Sequence, residues 1–87
     1  IVNSNIKSEV EQVIQNLEKI LIESGSSLSL VVKLNVYLKD LNNFMILNSV
    51  FEDLFDKDCY PARSTFEVSR LPKDVNVEID AVAEIKK

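Results

Sequence analysis

Between Leu28 and Lys39 the chain alternates almost without a break. Leu28, Leu30, Val32, Leu34, Val36 and Leu38 fall on one parity, and Ser29, Val31, Lys33, Asn35, Tyr37 and Lys39 on the other. A period of two sends successive side chains to opposite faces of an extended backbone, so this stretch predicts a strand with one buried face. It is longer than the usual strand of about five or six residues, which predicts a central strand or one crossing the whole sheet. Ahead of it, Ile6, Val10, Val13, Ile14, Leu17, Ile20 and Leu21 recur at helical spacing. Lys7, Glu9, Glu11, Gln15 and Glu18 lie between them, giving an amphipathic helix of about five turns. Ser4 or Asn5 can cap its start. Ser24-Gly25 reads as its end, with the chain's one glycine free to take the left-handed position after the last turn.

After the long strand, Asp40 can cap a second helix whose apolar stripe is Phe44, Leu47, Val50, Phe51, Leu54 and Phe55. That helix should end near Asp56-Lys57-Asp58, and Pro61 biases Tyr60 toward extended backbone. Ser64 to Arg70 then reads as a strand with Phe66 and Val68 on one face and Arg63, Thr65, Glu67 and Ser69 on the other. Leu71-Pro72-Lys73-Asp74 is a turn. A last strand sets Val75, Val77, Ile79, Ala81, Ala83 and Ile85 against Asn76, Glu78, Asp80, Val82 and Glu84. The helix between the first two strands permits a right-handed parallel crossover. If the last two strands pair as a hairpin, Phe66 and Val68 meet Ile79 and Val77.

The order helix, strand, helix, strand, strand predicts one α+β domain over residues 1–87: a mixed β-sheet with two α-helices on one face. On this reading the other face carries Arg63, Thr65, Glu67, Glu78 and Asp80, together with Tyr37, Val31 and Val82. Such a mixture suits a partner surface or a site better than plain solvent.

A chain of 87 residues hides only a modest share of its surface when it folds, so it calls for additional stabilisation. Cys59 is the single cysteine and there is no histidine, which leaves no intrachain disulfide and no zinc-ligand cluster. Self-association is the remaining device. The apolar fraction of 46% is that of a globular domain. A net charge of −4, with no run of Lys or Arg, argues against nucleic acid as a partner. No apolar stretch approaches the roughly 20 residues that span a bilayer, so no membrane role is expected. The chain begins at Ile1 and enters a helix almost at once, without a visible signal peptide. We expect it to be the ordered or processed part of a longer protein. A lone thiol fits a reducing compartment.

The absence of histidine removes Ser-His-Asp and Cys-His chemistry. No glycine-rich phosphate loop is present. Carboxylates, Arg, hydroxyls and backbone groups remain. Arg63 follows a proline and opens a strand. It is either a fixed guanidinium that grips a carboxylate through two parallel hydrogen bonds, or a surface arginine paired with Glu67, Glu78 or water. Glu78 is either a carboxylate that takes or relays a proton from water, or a solvated glutamate. Asn48 defaults to a surface or helix-facing amide and Cys59 to a structural or semi-exposed thiol. Tyr37 and Tyr60 default to packing residues with a polar tip.

Several segments, in order and spacing, resemble the YjgF/YER057c/UK114 (Rid) family, also labelled endoribonuclease L-PSP. Tyr60-Pro61-Ala62-Arg63-Ser64-Thr65 is similar to its P-A-R-S segment, and Val77-Glu78-Ile79-Asp80-Ala81-Val82-Ala83 to its terminal V-E-I-E-A-x-A strand. Leu71-Pro72 stands at the family's spacing between them. Upstream, Asn16-Leu17 and Val32 to Asp40 resemble the N-L and V-K-x-x-V-F-x-x-D segments, and Phe44 and Asn48 match F-x-x-x-N. The resemblance covers almost the whole chain.

It implies a chorismate-mutase-like fold and a homotrimer joined through its sheets, with clefts between subunits. The implied activity is hydrolysis of reactive 2-imino or enamine acids, such as 2-iminobutanoate and 2-iminopropanoate, to 2-keto acids and ammonia. Arg63 would then bind the substrate carboxylate, Glu78 would orient or activate water as the catalytic group, and Asn48 and Thr65 would contact the ligand. No cofactor or metal is implied, because a protonated imine is already electrophilic. The implied setting is the cytoplasm, or a mitochondrion or other organelle if a targeting segment has been removed.

Two departures accompany the resemblance. Thr65 stands where many members have cysteine. The family's N-terminal strand region, with G-P-Y-S-Q and S-G-Q segments whose Tyr, Ser and Gly help build its cleft, is absent from this sequence, which starts after it. The alternatives are a non-catalytic protein of the same fold that binds small carboxylates or regulates a partner, and an endoribonuclease or translation inhibitor.

Overall fold

In the computed structural model, which describes residues 6–55 and 60–86, helix α1 runs Ile6–Glu23, strand β1 Val31–Leu38 and helix α2 Phe44–Leu54. Strand β2 spans Ala62–Glu67 and strand β3 spans Val77–Ala83. The sheet order is β2-β1-β3, with β2 parallel and β3 antiparallel to β1. The α+β reading holds: a mixed sheet with helices on one face. The conditional hairpin does not form, because β1 lies between β2 and β3.

The core lies between the helices and one sheet face. Val10 and Ile14 of α1, Leu34, Val36 and Leu38 of β1, Leu47 and Val50 of α2, and Val77 of β3 are buried. Each such aliphatic side chain contributes about 1.5–3 kcal/mol relative to exposure. Ile20 and Ile85, expected in apolar stripes, are instead about three-fifths exposed: beside Ile20 it is Leu21 that takes the buried position, and Ile85 lies beyond the end of β3.

The central strand is shorter than its alternation suggests. Leu28–Leu30 form a single 3-10 turn, and β1 starts at Val31. The pairing with β3 then slips between Val31 and Lys33, a β-bulge that inserts Val32. One extra residue reverses parity, so Val31 is buried and Val32 is exposed, the opposite of the sequence reading. Beyond the bulge, Leu34, Val36 and Leu38 point into the core as expected.

Asp40 accepts a hydrogen bond from the Asn42 N–H at 2.9 Å and so caps a 3-10 turn, Leu41–Asn43, that leads into α2. In α1's first turn, Glu9 accepts from the Asn76 backbone N–H at 2.8 Å and from its side-chain amide at 2.9 Å. These bonds tie the approach to β3 onto the helix layer. The proposed caps Ser4 and Asn5, the helix end at Asp56-Lys57-Asp58, and Cys59 lie outside the described residues. Among the described residues no helix is long and apolar enough to cross a membrane.

The end of α1 is closed as its sequence indicates. Gly25 has φ 85°, its N–H donates to the Ile22 carbonyl at 3.1 Å, and the Ser26 N–H reaches back to Leu21 at 2.8 Å. These two bonds satisfy carbonyls that the last turn would leave open. The Gly25 carbonyl accepts from Lys86 N–H at 2.8 Å, and the Ser26 hydroxyl donates to the Glu84 carbonyl at 2.6 Å. A Cβ at Gly25 would meet only Ile85 Cγ2 at 3.7 Å, so space permits a methyl group while the left-handed backbone does not favour one. Gly25→Ala should therefore lower unfolding free energy by about 1–2 kcal/mol, measured by urea denaturation, with the m-value unchanged.

Candidate functional site

Parallel pairing with β1 settles where the side chains of β2 go. Arg63 lies opposite Leu34, Thr65 opposite Val36 and Glu67 opposite Leu38. In-register residues share a face, so all three point toward the helices. Ala62, Ser64 and Phe66 share the open face with Lys33, Asn35 and Tyr37. This reverses the face assignment made from the alternation of β2. The reason is local. Phe66 stacks on Tyr37 across the open face, with ring centroids 5.8 Å apart, while Glu67 turns inward and accepts from the Leu41 N–H at 2.9 Å. Among the described residues β2 is an edge strand, and the polar-apolar contrast along it reports these specific partners rather than core against solvent.

Arg63 consequently enters a cleft between β2 and α2. Its guanidinium carbon lies 5.3 Å from the Phe44 ring centroid and 5.1 Å from that of Phe51. Two such cation–π contacts place the guanidinium over both rings without using its N–H donors as a salt bridge would. Burial lowers the guanidinium pKa from its ordinary value, yet an arginine remains charged throughout the physiological range. Among the described residues Arg63 makes no ion pair; the one present joins Arg70 to Asp74 on the surface.

The cleft has a volume of about 390 Å³. Among the described residues, Leu34, Phe51, Phe55, Tyr60 and Pro61 supply apolar walls, and Asn48, Glu52 and Arg63 supply polar groups. Asn48 and Glu52 are four residues apart on α2 and therefore neighbours on one side of the helix. The structure thus brings Arg63 and Asn48 together. Thr65 lies on the same sheet face, half-buried and further along β2, but does not line the cleft. Glu52 was not singled out from sequence; its spacing from Asn48 was the available signal.

Glu78 lies elsewhere. It pairs with Tyr37 in the β1–β3 register and is exposed on the open face. The chain therefore holds Arg63 and Glu78 on opposite sides of its sheet. Beside Glu78, Asp80 accepts from the Asn35 amide at 2.9 Å and the Tyr37 hydroxyl at 3.2 Å. The Tyr37 phenol is held above its ordinary pKa: desolvation disfavours the phenolate first, then the hydrogen bond and charge of Asp80, then the charge of Glu78. Among the described residues no group of three or more His, Cys, Asp or Glu is arranged to hold a metal ion.

The family model described as Endoribonuclease L-PSP matches residues 1–85. A RutC family protein of Pyrococcus abyssi is 51% identical over 83 residues, covering 95% of this chain and 65% of its own length. TdcF of Escherichia coli, whose name assigns it provisionally as a reactive intermediate deaminase, is 35% identical over 82 residues, covering 92% of this chain and 64% of its own. Among solved structures, yeast Mmf1 superposes with a TM-score of 0.91 at 44% identity, covering 98% of this chain and 67% of that one. The chain thus spans just under two thirds of the length of these curated relatives.

The raised Tyr37 pKa has a direct consequence. A group whose folded pKa lies above its unfolded value stabilises the fold fully below the unfolded value, near 10, and loses that contribution as pH rises through the folded one. In a Tyr60→Phe background Tyr37 is the chain's remaining tyrosine. Its phenolate absorbance should appear above pH 10, and Asp80→Asn should move that midpoint downward.

Proposed function

Because the chain belongs to the YjgF/Rid family, which the Endoribonuclease L-PSP model describes, we infer that it hydrolyses small reactive 2-imino acids, such as 2-iminobutanoate and 2-iminopropanoate, to 2-keto acids. The observation that carries this reading is Arg63: a cation gripped by two rings, without a carboxylate partner among the described residues, in an apolar cleft with an amide beside it. Such a group offers two parallel donors to a substrate carboxylate. Asn48 adds a donor and an acceptor nearby. The walls formed by Phe51, Phe55 and Leu34 suit a short apolar side chain. The name of the TdcF relative supports the same chemistry.

Water adds to the carbon of the protonated imine, and the carbinolamine collapses with loss of the nitrogen. Written overall, R–C(=NH2+)–COO− plus H2O gives R–C(=O)–COO− plus NH4+. Atoms and charge balance without a redox partner. Arg63 fixes the carboxylate, which places the adjacent imine carbon against the water and makes positioning the main device. The water-activating role falls to Glu78. Because Glu78 and Arg63 lie on opposite sheet faces, this reading requires a second copy of the chain to present Glu78 at the cleft, and a homotrimer supplies one. Thr65 shares the Arg63 face but does not line the cleft, so no ligand contact is assigned to it.

A second reading rests on that same separation. Within one subunit the cleft has the equipment to bind a 2-keto acid but no Glu78, so a carboxylate sensor without turnover is the alternative. Ammonia release from 2-iminobutanoate generated in situ decides between them. Deamination predicts acceleration by the wild type and a loss of roughly a hundredfold in kcat/KM for Arg63→Ala, about 3 kcal/mol for a bidentate charged contact. Thermal stabilisation by 2-ketobutanoate that Arg63→Ala abolishes, with no acceleration by the wild type, would leave the sensor.

A further inference from the structure

Glu52 is the unabsorbed feature of the cleft. It is a carboxylate on the same wall as Asn48, in a pocket whose other charged group among the described residues is Arg63, and no ion pair joins the two. A site built only to hold an anionic keto acid would gain nothing from a negative charge, which repels the ligand. A ligand with a carboxylate at one end and a cationic nitrogen one carbon away removes that conflict, because each of its charges finds an opposite charge on the wall. We propose that Glu52 is the nitrogen-recognition group of the cleft, selecting the cationic 2-iminium or 2-ammonium form of a small carboxylic acid over its keto analogue.

The proposal rests on the reading of Arg63 as carboxylate clamp and adds a second charge to it. It follows from geometry: Phe44, Asn48 and Glu52 succeed one another at four-residue spacing on α2, so the helix lays a ring, an amide and a carboxylate in a row along the side that faces Arg63. Phe44 and, beside Glu52, Phe51 hold the guanidinium, and Asn48 lies between Phe44 and Glu52 in the row. A neighbouring carboxylate also favours the protonated imine over the neutral one. The proton stays on the nitrogen, where it makes the carbon electrophilic. Glu52 accepts a hydrogen bond from that N–H and itself exchanges no proton. It is therefore a positioning and selecting group, with no claim on the attacking water.

The test compares two ligands with the same carboxylate and ethyl group that differ at C2, a ketone in one and an ammonium-bearing carbon in the other. 2-Ketobutanoate carries the carboxylate alone; L-2-aminobutanoate carries the carboxylate and a cationic nitrogen. Affinities are measured by calorimetry on wild type, Glu52→Gln and Arg63→Lys at neutral pH and low salt. Gln matches the shape of Glu on an exposed helical position, so circular dichroism should superpose for the Glu52 variant. The expected result is a change of opposite sign: Glu52→Gln weakens the amino acid by roughly fivefold, the upper end for a partly solvated charge pair, and leaves the keto acid equal or tighter. Arg63→Lys should weaken both. Where turnover is present, the high-pH limb of kcat/KM for the imine should shift to lower pH in Glu52→Gln. Equal loss for both ligands, or no change in either, overturns the proposal whether or not the protein turns over imines. Loss of turnover in Arg63→Ala speaks to the deaminase reading alone.

Discussion

The in-register parallel pairing of β2 with β1 is the constraint from which the geometry of the cleft follows. β2 is an edge strand among the described residues, and its own alternation favours neither face decisively: Phe66 and Val68 on one parity compete with a mixed polar set on the other. The backbone hydrogen bonds to β1 decide the matter. They set Arg63 beside Leu34, a fully buried residue, and so carry a guanidinium onto the helix side of the sheet. A charge taken there needs compensation, and α2 supplies it through the faces of Phe44 and Phe51; among the described residues no carboxylate pairs with it. Ring faces screen a cation without consuming its edge donors. A salt bridge would have occupied them.

The same pairing explains what the open face looks like. With Arg63, Thr65 and Glu67 turned inward, β2 presents Phe66 outward, where it stacks on Tyr37. Asn35, Tyr37 and Asp80 form a hydrogen-bonded cluster next to Glu78, and Val82 lies exposed on the same side. Rings, an ordered acid–phenol contact and bare aliphatic surface share one face. Together they support the view, advanced above as part of the function, that another copy of the chain covers it.

Much of this was legible in the sequence because local signals and packing agreed. The helical stripe from Ile6 to Leu21 describes a helix that packs on one side, and Gly25 stops it through the one backbone conformation that a glycine accepts readily. Asp40 caps the turn ahead of α2, and Val77, Ile79 and Ala81 face the core as their alternation predicts. The failures share a cause. Alternation gives parity only while pairing is uninterrupted; the bulge at Val32 adds one residue to β1 and exchanges the places of Val31 and Val32. On β2 the parity was read correctly, but its assignment to core or open face depended on a register that no residue within β2 specifies. Glu52 went unnoticed because it sits at the margin of an apolar stripe, where a glutamate usually means solvent.

That last omission bears on how the cleft works. Arg63 is marked by its position after a proline at a strand start, so a reading from sequence finds the anion-binding half of the site. The other half depends on the rotation of α2 about its axis, which is fixed when Leu47 and Val50 bury against the sheet. Once they do, Asn48 and Glu52 are carried to the margin that overlooks β2, and the same core contacts that hold the helix down decide which charges line the cleft. The charge pattern of the site is therefore set by hydrophobic packing. Loosening that packing, by trimming Leu47 for example, would displace Asn48 and Glu52 together while leaving Arg63 tethered to its strand.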